Sequence, residues 1–178
     1  NTAAHNIYMG ISPRLKRFEH PERLAEERPI DIGDTRILIF GMGHVGENAY
    51  DALQEKYGQD VTGVDFDERT VASHRAAGRN VVLGSATDPD FWSRLHLSNT
   101  RIELILLALP NHEEDLQAAR ELAETGYRGK IAATVKFDDQ VEALHQAGIH
   151  AAFNLYAEAG AGFAEHASGL FGEQPAGR

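Results

Sequence analysis

Residues 36–65 read RILIFGMGHVGENAYDALQEKYGQDVTGVD, and their reading decides the fold. An apolar, β-branched run, Ile37-Leu38-Ile39-Phe40, enters a glycine-rich turn at Gly41. A helical pattern follows over His44–Tyr57, with Val45, Ala49, Ala52 and Leu53 at helical spacing and expected on one face. A second apolar run over 61–65 then ends in an acid, Asp65. Strand, tight turn, helix, strand and carboxylate together make the dinucleotide-binding fingerprint in its full context.

Each position has a physical role. Gly41 permits a sharp turn off the strand, and Gly43 lets backbone N–H groups approach a phosphate with no Cβ in the way. Gly46 lets the helix pack close to the strand. The helix N-terminus, beginning at His44 and Val45, then presents unsatisfied N–H groups and partial positive charge to an anion. Asp65, about 20 residues past the last glycine, is placed to accept hydrogen bonds from ribose hydroxyls. It would repel a 2′-phosphate, and the next residue is Phe66 rather than an arginine that could neutralise one, so NADP is disfavoured. NAD(H), AMP, ADP and ATP stay open. His44, beside the phosphate position, could make binding sensitive to pH.

Outward from this stretch the same alternation continues. Helix is expected at about 68–77, strand at Asn80–Gly84, and a short helix that starts with Asp88 as N-cap and Pro89 at its first position. The run IELILLAL at about 102–109 reads as a central strand covered on both faces. Asn111 through Glu114 has capping-box form, opening a helix to about Thr125. A strand at about 130–135, a helix at about 138–146, a short strand over His150–Phe153 and a last helix from about Tyr156 to Leu170 complete the series. Such alternation means an α/β, Rossmann-like, doubly wound parallel sheet, with strand order 3-2-1-4-5-6.

Ligands lie beyond the carboxyl ends of such strands, so the residues just past each strand are the remaining site candidates. After the third strand come Ser85 and Ala86, and after the fourth Ala108, Leu109 and Pro110. Small and apolar groups with a hydroxyl suit a flat adenine, although the Ser85 hydroxyl could equally bond its own turn. The histidines at 74, 96, 112, 145, 150 and 166 show no metal-ligand spacing and are read as surface or cap residues. The acids Glu113, Glu114 and Asp115 fall in a first helical turn, where the dipole favours them. Arg69 and Arg75 are read as solvated helix-surface residues.

The 178 residues suit one domain of ordinary size, preceded at 1–34 by a proline-interrupted, charged arm. The globular part is expected over 35–172. A net charge of −10 disfavours nucleic acid and anionic membrane surfaces as non-specific partners. Cysteine is absent, which rules out disulfides and thiolate chemistry. No tyrosine has a lysine four residues on, and no GxxxxGK[ST] loop occurs. The residues supply a binding site with no evident catalytic or metal-binding group, which points to sensing rather than to an enzyme. A dehydrogenase cofactor domain or a free-standing NADH/NAD sensor is the alternative.

The segments IFGMGHVGENAYDAL, VTGVDFDE, VVLGSATDPDFW, LILLALPNHEEDLQAARELAE, KIAATVKFDDQVEALHQAGIHAAFN and LYAEAGAGFAEHA closely resemble the RCK, or TrkA-N, domain, over about residues 36–170. These are cytosolic regulatory domains of potassium channels, Trk-type uptake systems and Kef-type potassium/proton antiporters. The resemblance implies a domain that binds AMP or NAD(H) and gates monovalent cation transport. It implies nucleotide contacts at Gly41, Gly43, Gly46, Asp65, Ser85 and Ala86, and a homodimer in which the last helix crosses to the partner. It further implies a transmembrane transport domain as partner, in the same polypeptide, and a place at the cytoplasmic face of the inner membrane. Two departures stand out. Ser85 occupies a position where many members carry Asp, and AATVKFDD lacks the arginines of glutathione-gated members, so glutathione control does not carry over.

Overall fold

The structure, a computed structural model, describes residues 28–97 and 100–170. Residues 1–27, which hold most of the expected arm, lie outside the described residues. Six strands form one sheet: β1 (Ile37–Phe40), β2 (Val61–Asp65), β3 (Val81–Leu83), β4 (Leu104–Leu107), β5 (Lys130–Val135) and β6 (Ala151–Asn154). Helices α1 (His44–Tyr57), α2 (Glu68–Ala76), α3 (Pro89–Leu95), α4 (His112–Glu124) and α5 (Val141–Gln146) connect them, and α6 (Leu155–Gly169) follows β6. The strand order is β3-β2-β1-β4-β5-β6, every pair is parallel, and the direction of winding reverses between β1 and β4. Right-handed crossovers on a twisted sheet give this order, with α1 and α2 on one face and α3, α4 and α5 on the other. The doubly wound, Rossmann-like architecture is as the sequence predicted.

Two apolar layers hold the sheet. On one face Leu38, Phe40, Ile105 and Leu107 meet Trp92, Ala118, Ala119, Leu122 and Leu144. Phe40, Phe91 and Trp92 pack at ring-centroid distances of 5.0–5.6 Å, two of the three pairs edge-on. Such pairs contribute about 0.5–1.5 kcal/mol each beyond their buried area. On the other face Ile37, Ile39 and Val61 meet Met42, Tyr50 and Val71. Ile32, within the expected arm, is also buried in the core, and the Ile30 N–H bonds the Arg94 carbonyl at 3.1 Å.

Several local expectations need correction. In α1 the buried residues are Gly46 and Tyr50, with Leu53 packed beside them, while Val45 and Ala52 are exposed. The close approach at Gly46 sets which side of the helix meets the sheet, and the Tyr50 hydroxyl reaches the Asn80 N–H at 2.8 Å. β4 is fully covered only where Ile105 and Leu107 point, and Leu104 and Leu106 are half-buried. The reason is that α1 and α2 lie over the β1–β3 half of their face. Asn111 does cap α4, accepting from the Glu114 N–H at 3.0 Å, but Glu114 returns a contact to the Asn111 side chain at 2.7 Å rather than to its backbone. The fifth helix begins as a 3-10 turn over Asp138–Gln140.

Candidate functional site

The switch point between β1 and β4 places the glycine loop, Gly41 to Gly46, against the ends of β2 and β4. Gly41 has φ +84°, and a Cβ there would lie 2.4 Å from the Ala108 carbonyl oxygen. A Cβ on Gly46 would lie 1.8 Å from the Gly41 carbonyl oxygen, so the helix can start here only without a side chain. Around Gly43 there is nothing within 4 Å of an added Cβ. Gly41 and Gly46 are therefore demanded by the protein's own packing, whereas Gly43 faces open space. Gly43 is also the N-cap of α1 and offers no side chain to it, so the first-turn N–H groups are left for an acceptor from outside.

Asp65 is buried, 8% exposed, and both its oxygens are engaged. Oδ2 accepts from the Met42 N–H at 2.7 Å and Oδ1 from the Asp67 N–H at 2.9 Å. Each oxygen keeps a further lone pair, so the carboxylate ties the loop down while retaining acceptor capacity toward a hydroxyl. The Met42 carbonyl is held from the other side by His74 Nε2 at 2.7 Å. His74 Nδ1 faces Arg79 at 3.2 Å, and an arginine can only donate, so Nε2 carries the imidazole proton and donates to Met42. Arg79 in turn grips Asp51 with two 2.7 Å bonds and reaches Glu47 at 3.0 Å, holding the Asp51 carboxyl below the usual range. His74 is thus buried and bonded, not the surface or cap residue its spacing suggested. No sequence pattern marks it, because its partner is a backbone atom 32 residues away.

The loop after β3 is shaped by the core beneath it. A Cβ on Gly84 would collide with the Phe91 ring at 2.1 Å, so glycine there admits Phe91 to the aromatic cluster. Trp92 Nε1 donates to the carbonyl of buried Ala86 at 2.8 Å, pinning the loop. The Ser85 hydroxyl accepts from the Thr87 N–H at 3.2 Å and pairs with its hydroxyl at 2.9 Å, the local turn bond that the sequence left as one of two options.

The candidates separate around the loop. Gly41, Asp65, Phe66, Ser85, Ala86, Leu109 and Pro110 line one narrow cleft beyond the strand ends. Gly43 and His44 line a broader depression of about 650 Å³ on the other side, with Glu47, Asp67, Arg69 and His74. Phe66 is 72% exposed at the mouth. Ala108 lies beneath Gly41 as a packing partner, and Val45 faces solvent outside both hollows. Arg69 is open to solvent as expected, but the Arg75 Nε donates to the Val81 carbonyl at 2.6 Å. Asp67 caps α2, and the Thr70 hydroxyl and the Arg69 amide hold its carboxyl below the usual range. Among the described residues no group of three or more His, Asp or Glu side chains could hold a metal ion, and no helix is long and apolar enough to cross a membrane.

Comparison with known proteins agrees with this architecture. The TrkA-N domain model matches residues 37–155. No curated protein sequence matches the chain. Among solved structures, the TrkA-N domain of the inner membrane protein ybaL from Escherichia coli superposes with a TM-score of 0.64 at 22% identity, covering 76% of this chain and 98% of that one. The Kef C-terminal domain of Shewanella denitrificans, solved in an AMP-bound form, gives 0.64 at 15% identity and covers 79% and 83%. The GsuK channel bound to NAD gives 0.61 at 19% identity, covering 86% of this chain and 27% of that one. At these identities the structures share the fold, and the family rests on the sequence match. With 37–155 of its 178 residues matched, this chain belongs to the TrkA-N domain family.

Proposed function

We propose that the chain is a regulatory domain that binds AMP or NAD(H) in the cleft at the glycine loop and gates monovalent cation transport by a membrane domain. The observation that carries this reading is the uncapped N-terminus of α1 at Gly43, the one loop glycine whose Cβ direction is empty. On this reading the phosphate sits in the depression at Gly43, and the ribose and adenine reach across the loop to Asp65 and into the cleft of Phe66, Ser85, Leu109 and Pro110. Related folds solved with AMP and with NAD support the ligand class. NADP remains disfavoured on this reading, because a carboxylate at Asp65 would repel a 2′-phosphate and the Arg75 Nε is bonded to the Val81 carbonyl.

The transport partner is proposed from the Kef domain and the GsuK channel, whose folds this chain shares. On this reading the arm at 1–34 tethers the domain to the cytoplasmic face of the membrane. The protein acts as a homodimer. Helix α6 has no buried residue, and its Tyr156 and Phe163 are 64% and 76% exposed, an apolar strip along the helix. A second copy covering that strip would let nucleotide bias two dimer arrangements, in proportion to its differential affinity for them.

Calorimetric titration of the chain with AMP, NAD and NADH tests the site. Parent protein should bind, and Gly43→Ala should fold normally yet lose at least tenfold in affinity, because its Cβ occupies the phosphate position. Full affinity in a folded Gly43→Ala variant would remove the site assignment. Hydride turnover with any substrate would favour the oxidoreductase alternative.

A further inference from the structure

Among the described residues, three polar side chains line the narrow cleft beyond the strand ends: Asp65, Ser85 and Glu114. The first two are engaged within the protein. Asp65 holds the Met42 and Asp67 N–H groups, and the Ser85 hydroxyl is closed on Thr87 in its own turn. Glu114 differs. The Asn111 side-chain amide donates to its Oε1 at 2.7 Å, and no donor among the described residues reaches Oε2. The three acids that open α4 thus have three surroundings. Glu113 is exposed, and Asp115 is 2% exposed with no partner for its Oδ1. Burial, with Glu114 nearby, pushes the Asp115 carboxyl up to about 7. Glu114, between them, is half-buried in the cleft wall.

We propose that Glu114 reads the base: its free carboxylate oxygen accepts a hydrogen bond from the amino group of adenine, and so selects adenine over purines that carry an oxygen at that position. The proposal rests on the nucleotide reading above and deepens it. Phe66, Leu109 and Pro110 are apolar walls that hold the plane of a ring without reading its edge. The floor is equally indifferent, because the carbonyl of buried Ala86 is already bonded to Trp92 Nε1. A carboxylate has acceptors only, so the ring edge that meets Glu114 must donate. The amino group of adenine does so. The carbonyl oxygen of hypoxanthine, at the same place on the ring, would set two acceptors face to face. AMP and NAD share the adenine half, so the same carboxylate serves either ligand.

The test titrates the 178-residue chain with AMP, with purine riboside 5′-monophosphate and with IMP. The second compound has hydrogen in place of the amino group, and the third has oxygen. The parent should bind AMP about tenfold more tightly than purine riboside monophosphate, with IMP weaker still. Glu114→Ala leaves the helix cap in place, because the cap bond to Asn111 comes from the backbone N–H of residue 114 at 3.0 Å. It should bind AMP and purine riboside monophosphate alike. Glu114→Gln, whose amide can accept or donate, should keep most of the AMP preference and bind IMP several-fold more tightly than the parent does. A merely structural role would weaken all three compounds together. Equal affinity of the parent for AMP and purine riboside monophosphate overturns the proposal and leaves the nucleotide site standing. A tenfold preference retained in folded Glu114→Ala also overturns it, as does unchanged IMP affinity in Glu114→Gln. Failure of all three compounds to bind the parent overturns the nucleotide reading itself.

Discussion

At the scale of single residues, the glycines of the loop separate what the fold needs from what a ligand needs. Gly46→Ala would press a methyl group to within 1.8 Å of a backbone oxygen, and the chain should fold poorly or not at all. Gly43→Ala meets nothing, so a thermal melt should match the parent while the titration loses its signal. Asp65 cannot be used so cleanly. Replacing it by Ala would orphan the buried Met42 N–H, at about 1–3 kcal/mol, and a loss of binding would then mix loop damage with a lost ribose contact. Asp115 gives a prediction in pH. Its carboxyl titrates near 7 in the folded chain against 3.8 in a solvated one, so the folded state retains a proton that the unfolded state releases between those values. The associated stability is present in full below about 4 and is lost as pH rises through 7. Asp115→Asn cannot ionise, so it should gain stability over the parent between pH 5 and pH 8, on the order of 2 kcal/mol after allowance for solvent screening. Melts of the two proteins at both pH values measure this; equal differences at both would mean the carboxyl is not desolvated.

At the scale of elements, α6 differs from the other helices. Its start is well anchored: Asn154 accepts from the Tyr156 and Ala157 N–H groups and donates to Asp138 at 2.6 Å. Yet none of its residues is buried, and its Tyr156 and Phe163 lie open. An anchored helix with an open apolar strip is a surface for a second copy to cover. Phe163→Glu puts a charge in the middle of that strip without touching the core. Light scattering should then report a dimer for the parent and a monomer for the variant, with unchanged circular dichroism. A variant that stays dimeric would place the interface elsewhere.

At the scale of the whole molecule, binding and stability are linked. A ligand that binds only the folded chain stabilises it by about 2.7 kcal/mol at a hundredfold excess over Kd, enough to raise the melting midpoint by several degrees. AMP should produce that rise in the parent and a clearly smaller one in Gly43→Ala at the same concentration. An equal rise in both would locate the nucleotide away from the glycine loop.

Much of this architecture is local and was therefore legible in the chain. Alternating apolar runs and caps mark the elements, because strands and helices report their own periods. The handedness of crossovers then orders the sheet, and Gly41 and Gly46 announce the loop through steric demands within a few residues. What the tertiary structure alone decided involves partners far apart in the chain. The face of α1 that is buried follows from Gly46 against the sheet rather than from the count of apolar residues, which had favoured Val45 and Ala52. His74 becomes a strut of the loop only because the Met42 carbonyl is brought to it. Asp115 reads as one of three acids that the dipole favours in a first turn, and its burial without a partner for Oδ1 arises only when the fold packs around α4. Periodicity records what a residue's own element does; burial and orphaned polar atoms are properties of the space between elements, and no local pattern encodes them.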